Sequence, residues 1–311
     1  MRNFRRVAAP LLLPITSAMC FGFSGPFAKS LMAAGWSPGA ASILRCVGAA
    51  SVLLVIGLAT GASRKWPGRS AVAYGFFAVA LAQTTFFLSL TRLPVGVTLM
   101  IQFCAPVVVI LWEWLVRKAP QSSTTLAGAA LAIAGAVLVI NPFGSSGIDP
   151  IGVAWAVASM IGQVGFFLLS TDDSDADPIG FTAVGLLVGA AIVGTLSAFG
   201  VVEFTVSTAP VTLGSHELPW WAAFLPLAVV ATAFAYLTGV AAVAALGSTL
   251  SSVILLSEVL FAVVFAWLLL GETITSVQCI GGAVLVTGVA IAKLRSRETG
   301  LKTAEVAVAT A

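Results

Sequence analysis

The sequence has little charge. Asp, Glu, Lys and Arg together make up 9% of its 311 residues, against about a quarter in ordinary soluble domains. Such a chain lacks the polar residues to cover a water-facing surface, which excludes an ordinary soluble fold. Hydrophobic residues make up 59% of it, and the mean hydropathy is +1.07. These values indicate that lipid surrounds most of the folded chain.

Residues that carry reactive chemistry are also scarce. The single histidine, His216, falls in a predicted outer loop, and the four cysteines lie in apolar segments without metal-ligand spacing. No Walker, HExxH or GxSxG pattern occurs. The basic residues form no run interleaved with aromatics. We therefore expect no cofactor or metal, no enzymatic activity and no nucleic-acid partner.

Ten apolar runs are each long enough to cross about 30 Å of hydrocarbon as a helix. Turn-forming and charged residues separate them, which predicts an all-α polytopic membrane protein with ten transmembrane helices. The runs lie near 10–31, 38–59, 70–90, 94–116, 123–140, 150–170, 179–202, 219–245, 248–270 and 274–293. We expect the first run to be a retained helix with a basic cytoplasmic flank, rather than a cleaved signal peptide.

Positive charge between the runs predicts the orientation, because Lys and Arg are retained on the cytoplasmic side. With the N-terminus inside, Arg92 alone is outside, and the acidic loop 172–177 is inside. Twelve basic residues are then inside: Arg2, Arg5, Arg6, Arg64, Lys65, Arg69, Arg117, Lys118, Lys293, Arg295, Arg297 and Lys302. This distribution predicts a protein of the plasma or inner membrane with both termini in the cytoplasm.

An internal repeat at a shift of 153 residues relates the two halves. Residues 93–139 align on 246–292, so that Leu93, Thr98, Gly128 and Gly135 match Leu246, Ser251, Gly281 and Gly288. Each unit has five crossings, an odd number, so the second is inserted upside down relative to the first, as in many secondary transporters. We expect a basic N-terminus (1–9), two repeats (10–144 and 145–293) and a disordered cytoplasmic tail (294–311).

Charged residues inside helices are informative, because each costs about 2.5–3.5 kcal/mol at a helix centre. Glu113 has Arg117 four residues later, which favours a local ion pair. Glu258 lies near the middle of helix nine, where snorkelling cannot relieve it. Two interpretations of Glu258 stay open: a carboxyl that couples transport to protons, or a structural carboxyl bonded to a hydroxyl such as that of Ser251 or Ser252.

Lys29 and Arg45 fall toward the outer ends of helices one and two. Each alone is typical of an interfacial anchor, because long basic side chains snorkel to the membrane surface. Adjacent helices can instead bring the two together at the outer mouth, as a positive pair for a substrate carboxylate. Both interpretations stay open.

A polar stripe on helix four marks a candidate site. Thr98, Gln102 and Pro106 follow one another at four-residue intervals on one face. The proline predicts a kink near the midplane, where interrupted helices build substrate sites. Ser251 is the counterpart of Thr98 in the second half. Gln83 and Gln163 are further buried amides, with helix–helix contact as an equal alternative.

Several short motifs resemble the drug/metabolite transporter superfamily, and specifically its EamA-type ten-helix carriers. The resemblance spans about residues 10–293. It rests on Phe21-Gly22 with Lys29, Arg45, the run 87–90 leading to Pro94-Val95-Gly96, Ala105-Pro106, and Leu268 to Glu272. The stretch 96–106 is most similar to the amino-acid-exporting branch that includes homoserine/threonine exporters.

The resemblance implies export of small metabolites, often amino acids, through a cavity formed mainly by helices one, three, four, six, eight and nine. Helices five and ten are then peripheral. Where the family commonly has Glu-Pro in helix nine, this chain has Glu258-Val259, so the glutamate carries over and the second-half proline kink does not. Gln102 stands where the exporter branch often has an acid.

The sequence thus predicts a secondary active exporter of amino acids or related amphipathic compounds that works by alternating access, as a monomer or homodimer. Its partners are a small-molecule substrate, the lipid bilayer and, as a coupling ion, protons. One alternative is a multidrug exporter of lipophilic cations. Another, from a different class, is a membrane scaffold or receptor that transports nothing.

Overall fold

The three-dimensional structure is a computed structural model that describes residues 2–61, 68–90, 92–93, 95–118, 121–140, 149–170, 177–271, 276–277 and 279–291. The predicted tail 294–311, and all but the last residue of the acidic loop 172–177, lie outside the described residues.

The described part of the chain is almost entirely helical, with one short hairpin. Its helices are α1 (Arg2–Gly22), α2 (Ser24–Ala33), α3 (Pro38–Thr60), α4 (Gly68–Tyr74), α5 (Ala82–Leu90), α6 (Val95–Gln102), α7 (Ala105–Leu115), α8 (Ser123–Ile140), α9 (Pro150–Leu169), α10 (Pro178–Ala198), α11 (Trp221–Ala228), α12 (Ala235–Leu246), α13 (Ser248–Leu255), α14 (Glu258–Leu270) and α15 (Cys279–Ile291). Two π-helical segments, Gly75–Leu81 and Val229–Phe234, join α4 to α5 and α11 to α12. The strands are β1 (Val211–Leu213) and β2 (His216–Leu218).

Seven continuous helical stretches of the described residues are long and apolar enough to cross a membrane. They are Leu11–Ala33, Pro38–Thr60, Gly68–Ser89, Pro150–Leu169, Pro178–Ala198, Trp221–Leu246 and Ser248–Leu269. Shorter apolar helices at Ala105–Leu115, Ser123–Leu138 and Cys279–Ile291 coincide with predicted helices four, five and ten. The membrane-embedded, helical character is therefore confirmed, whereas the number ten stays a prediction. Helix also extends back to Arg2, through most of the segment predicted to precede the first span.

A polar residue followed by proline begins three of the long helices. Ser37, Asp149 and Asp177 occupy the N-cap positions of α3, α9 and α10, and each accepts hydrogen bonds from backbone N–H groups of the first turn. Proline suits the first helical position, since its missing N–H would have no intrahelical acceptor there. These local signals explain why the helix starts lie close to the predicted ones.

Departures from regular α-helix recur at the spacing of the sequence repeat. The π-segments end at Leu81 and Phe234, which are 153 residues apart. The same spacing separates the ends of α6 and α13, at Gln102 and Leu255. Among the described residues, each half thus has a π-segment and a helix break at matching places, as expected for two copies of one unit.

The first helix of each half packs against the opposite half. α1 lies along α12 and α14, and α9 lies along α5 and the first π-segment. Ser17 Oγ donates to the Ala235 carbonyl at 2.8 Å, and Ser159 Oγ donates to the Ala82 carbonyl at 2.8 Å. These acceptor carbonyls are 153 residues apart, so Ser17 and Ser159 bond to counterpart positions of the two halves. The halves therefore interlock, and their interface runs through the centre of the protein.

Helices α8 and α15 approach so closely that only glycine fits at their contact. A Cβ on Gly135 would lie 2.6 Å from the Cα of Leu285, and one on Gly288 would lie 2.7 Å from the Cα of Ala132. Leu285 and Ala132 are themselves repeat counterparts, so each helix presents the same surface to the other. A self-complementary contact of this kind is what a two-fold relation requires, and small residues allow it in lipid.

The hairpin β1–β2 is a feature that the sequence patterns do not predict. It lies in the connection between α10 and α11, and it is fastened to the ends of two long helices. Ser30 Oγ of α2 donates to the Thr212 carbonyl at 2.7 Å, and the Gly214 N–H donates to the Leu269 carbonyl of α14. His216, expected in a loop, is an exposed residue of β2. We call this side of the protein the hairpin side.

Replacing Gly135 or Gly288 by alanine should destabilise the protein by about 1–3 kcal/mol, the usual cost of overpacking a tight contact. The added Cβ meets backbone, which cannot turn aside. Thermal unfolding in detergent measures the effect. Gly194→Ala is the matched control, because a Cβ there meets nothing within 4 Å. Equal stability of the Gly135 and Gly194 variants would contradict the close contact.

The N-cap of α9 predicts a pH dependence. The hydrogen bond from Arg92, at 3.0 Å, and the Ile151 N–H lower the pKa of Asp149 below its usual range. A lowered pKa stabilises the fold above the unfolded-state pKa of about 3.9, and this contribution is lost as pH falls through the folded-state value. The stability difference between the wild type and Asp149→Asn, which keeps a cap without the charge, should therefore shrink as pH falls from 6 to 3. A difference that stays constant in thermal unfolding over that range would contradict the charge effect.

Candidate functional site

The two helix breaks meet at a small cavity. Gln102, Phe103, Ala105, Pro106, Gln163, Phe167, Ser252, Leu255, Leu256 and Glu258 line it. Four of these, Gln102, Pro106, Gln163 and Glu258, are among the site residues that the sequence predicts. The cavity measures about 10 Å³, which is close to the space that one water molecule needs. The structure therefore joins these four side chains around a space too small for a metabolite.

The break in the first half is the one that Pro106 predicts. α6 ends at Gln102 and α7 begins at Ala105. Between them the Cys104 N–H donates to the Ile101 carbonyl at 3.1 Å, a tighter turn than α-helix. This geometry agrees with the expected interruption.

The break in the second half corrects an expectation. No proline stands in helix nine, and for that reason no kink is expected there, yet α13 ends at Leu255 and α14 begins at Glu258. Ser257 lies at this interruption, where a proline is absent. Its N–H and its hydroxyl both donate to the Ile254 carbonyl, at 3.0 and 2.7 Å. Bonding of a serine hydroxyl back to its own helix often bends that helix.

Glu258 is the first residue of α14 and faces the cavity. The serines considered as its partners bond elsewhere: Ser251 Oγ donates to the Ala242 carbonyl and Ser252 Oγ to the Thr249 carbonyl. Within the described ranges we find no donor to the Glu258 carboxylate, so the structural alternative with those serines does not hold in this conformation.

The two glutamines of the cavity differ in how they are held. Gln102 Nε2 donates to Ser159 Oγ at 3.1 Å, and that hydroxyl donates onward to the Ala82 carbonyl. Ser159 thus ties Gln102 to α5 and α9, a role that no sequence pattern indicates. Gln163 lies one turn beyond Ser159 on α9 and also borders the cavity.

Thr98 and Ser251 are buried and lie outside this cavity lining. Thr98 shares a 2.8 Å hydrogen bond with Ser89 of α5, and Ser251 bonds the Ala242 carbonyl of α12. Ser89 and Ala242 are repeat counterparts, as are Thr98 and Ser251. Each hydroxyl thus fastens a broken helix to its predecessor.

Gln83 and Tyr236 form a direct bond across the centre. Gln83 Nε2 donates to the Tyr236 hydroxyl at 2.6 Å, and that hydroxyl donates to the Ala78 carbonyl at 3.2 Å. The two residues are 153 apart, so they are counterparts that touch each other. Residues related by a two-fold relation meet only near its axis. Gln83 therefore marks the centre of the protein.

Arg45 and Lys29 lie in different surroundings. Arg45 is 1% exposed, with Nη1 donating to Ser24 Oγ at 2.8 Å and its guanidinium 5.7 Å from the centre of the Phe87 ring. The interpretation of Arg45 as an interfacial anchor is therefore wrong, because an anchoring side chain must reach the membrane surface. Lys29 is exposed on α2.

Comparison with known proteins decides the family. The sequence profile of the EamA-like transporter family matches residues 8–141 and 150–294, one match for each half. The chain belongs to the EamA-like transporter family. No curated protein matches the sequence. A solved crystal structure superposes with a TM-score of 0.74 over 94% of this chain and 99% of the other, at 19% identity, which shows a shared fold.

Membership of the EamA-like transporter family confirms the resemblance to EamA-type carriers, and this family consists of small-molecule transporters. The family signature occurs twice. The cavity between the breaks of the two halves, lined by Glu258, is thus the candidate substrate site of an EamA-like transporter.

The central bond predicts coupling between the halves. Tyr236→Phe should destabilise the protein by about 1 kcal/mol, as is typical for hydrogen bonds between membrane helices, because the Gln83 amide loses its partner. In thermal unfolding, the Gln83→Leu, Tyr236→Phe double variant should lose less than the sum of the single variants. Strictly additive losses would show that the bond contributes nothing.

Proposed function

We propose that this chain is a secondary transporter that exports small metabolites, foremost amino acids and related amphipathic compounds, by alternating access. The observation that carries the proposal is the meeting of two counterpart helix breaks at a small cavity with a carboxylate. Broken helices expose backbone polar groups to a substrate at mid-membrane. Glu258 and the amides of Gln102 and Gln163 supply the polar groups that orient it.

Closure on two sides supports alternating access. The hairpin joins α2 to α14 on the hairpin side, through the bonds at Thr212 and Gly214. At the other end of the broken helices, Ser248 Oγ of α13 donates to Glu113 Oε1 of α7 at 2.6 Å. Since the cavity between these closures holds about one water molecule, a metabolite enters only after one of the two opens.

The direction of export rests on the positive charges of the loops. With both termini in the cytoplasm, the hairpin side faces outward and the Glu113–Ser248 contact faces the cytoplasm. The plasma or inner membrane is the location that fits this arrangement. Protons are the coupling ion that Glu258 suggests, in a monomer or a homodimer.

Export of lipophilic cations is the competing function. Phe103 and Phe167 line the cavity beside Glu258, and aromatic faces with a carboxylate suit an organic cation. This alternative requires no group for a carboxylate, whereas an amino acid does. Transport measurements with substrates that differ only in the carboxylate therefore distinguish amino-acid export from cation export.

Glu258→Gln should lower proton-driven exchange by at least about tenfold, because the amide keeps the shape but cannot carry a proton or balance an ammonium group. The measurement is counterflow of a panel of amino acids in liposomes that contain the purified protein, with and without a pH gradient. Glu217→Gln, the same change on the exposed β2 strand, is the matched control.

Two results would count against the proposal, each against a different part. If the wild type exchanges none of the amino acids but exchanges a lipophilic cation, amino-acid export is wrong. If Glu258→Gln exchanges amino acids at the wild-type rate with or without a pH gradient, coupling through Glu258 is wrong.

A further inference from the structure

Arg45 is a buried cation whose hydrogen-bonding capacity is mostly unused. Its side chain is 1% exposed, and its Nε has no partner in the structure. A guanidinium carries five N–H donors, and the described acceptors for them are the Ser24 hydroxyl at 2.8 Å and the neighbouring Cys46 thiol. A neutral hydroxyl does not balance a positive charge.

A charge inside a membrane protein normally has a partner, because desolvation costs several kcal/mol. The ion pairs in the described part of the chain join Arg92 to Asp149 and Arg117 to Glu113. In that same part, no carboxylate lies within 4.0 Å of the Arg45 guanidinium. The arginine is thus held in place without an anion in contact.

The surroundings of Arg45 suit an anionic group. Ser42, one turn earlier on the same face of α3, has a buried hydroxyl without a hydrogen-bond partner. The Phe87 ring, 5.7 Å from the guanidinium, supports the cation without neutralising it. Ser42 and Arg45 therefore leave unused donors on one face of α3.

Glu258 stands in the complementary position. It is a carboxylate for which the described residues show no hydrogen-bond donor. Cys46, the neighbour of Arg45, and Phe167, which lines the cavity with Glu258, belong to one cluster of buried residues. Tyr236 of the central bond belongs to the same cluster. The two opposite charges thus border one core, and no ion pair joins them in the described part of the chain.

We propose that Arg45 binds the carboxylate of the transported substrate while Glu258 takes its ammonium group, so that the substrate class is the zwitterionic amino acids. This inference rests on the proposed transport function and adds the residue that recognises the carboxylate. A zwitterion between the two charges balances both of them, which a lipophilic cation does not. Arg45 suits the role because its planar fork matches a carboxylate in two parallel hydrogen bonds.

The test compares ligands that differ only in the carboxylate. Neutral L-amino acids and their amino alcohols, in which CH₂OH replaces the carboxylate, are titrated against the purified full-length wild type. Binding is read from the ligand-induced rise in Tm, and exchange from counterflow in liposomes. We expect the amino alcohols to bind about ten- to a hundredfold more weakly, the usual effect of a hydrogen bond to a charged group.

Variants assign the preference to Arg45. Arg45→Gln should bring amino-acid affinity down to that of the amino alcohol, and Arg45→Lys should keep a reduced preference, since the charge stays but the fork is lost. Arg92→Gln is the matched control, because Arg92 pairs with Asp149 at the surface. If Arg45→Gln does not fold, the Arg45→Lys variant and the comparison of ligands on the wild type still test whether Arg45 recognises the carboxylate.

The outcomes separate this inference from the proposed function. A wild type that exchanges amino acids without preferring them to amino alcohols overturns the role of Arg45 and leaves export standing. The role of Arg45 is also overturned if Arg45→Gln still prefers amino acids to amino alcohols. It is overturned as well if an Arg45→Gln, Glu258→Gln double variant has full stability and full amino-acid exchange, because Arg45 and Glu258 would then be a purely structural pair. A wild type that neither binds nor exchanges any amino acid instead overturns the proposed function.

Discussion

A helix that breaks inside hydrocarbon frees backbone polar groups, and lipid offers them no hydrogen bonds. This constraint governs the centre of the protein, because both of its breaks must be satisfied by the protein or by a cavity. Tight turns meet part of the requirement, with Cys104 N–H on the Ile101 carbonyl and Ser257 N–H on the Ile254 carbonyl. The two breaks border a shared cavity, where Glu258 begins the helix after the second one. Polar chemistry thus accumulates where the backbone is irregular.

Hydrogen bonds and close packing elsewhere in the fold fix the positions of the two broken helices. Thr98 and Ser251 fasten each broken helix to the helix before it, and Ser17 and Ser159 fasten the first helix of each half to the other half. At the periphery, α8 and α15 pack through glycine with no room for adjustment. At the breaks, by contrast, a few hydrogen bonds replace continuous α-helix.

Much of this fold could be predicted because lipid imposes strong local rules. Apolar length shows which segments lie in the membrane, and Ser37-Pro38 or Asp177-Pro178 marks where a helix begins. Proline at 106 predicts the first break. The second break could not be predicted in the same way, since Ser257 bends its helix only when its hydroxyl bonds back to Ile254. The hairpin also escaped prediction, because its short strands depend on contacts with α2 and α14 rather than on their own pattern.

Some side-chain roles could likewise be predicted from the sequence, whereas others depend on the tertiary structure. Sequence alone determined a membrane-embedded helical transporter built from two related halves, because hydropathy and the repeat are properties of the order of residues. It also singled out Gln102, Pro106, Gln163 and Glu258, since polar residues and proline stand out in an apolar helix. Only the tertiary structure decided that Thr98 and Ser251 fasten helices, that Gln83 meets Tyr236 at the centre, and that Arg45 is buried rather than at the membrane surface. Those outcomes depend on which helix faces are apposed, and apposition is set by packing between segments far apart in the chain.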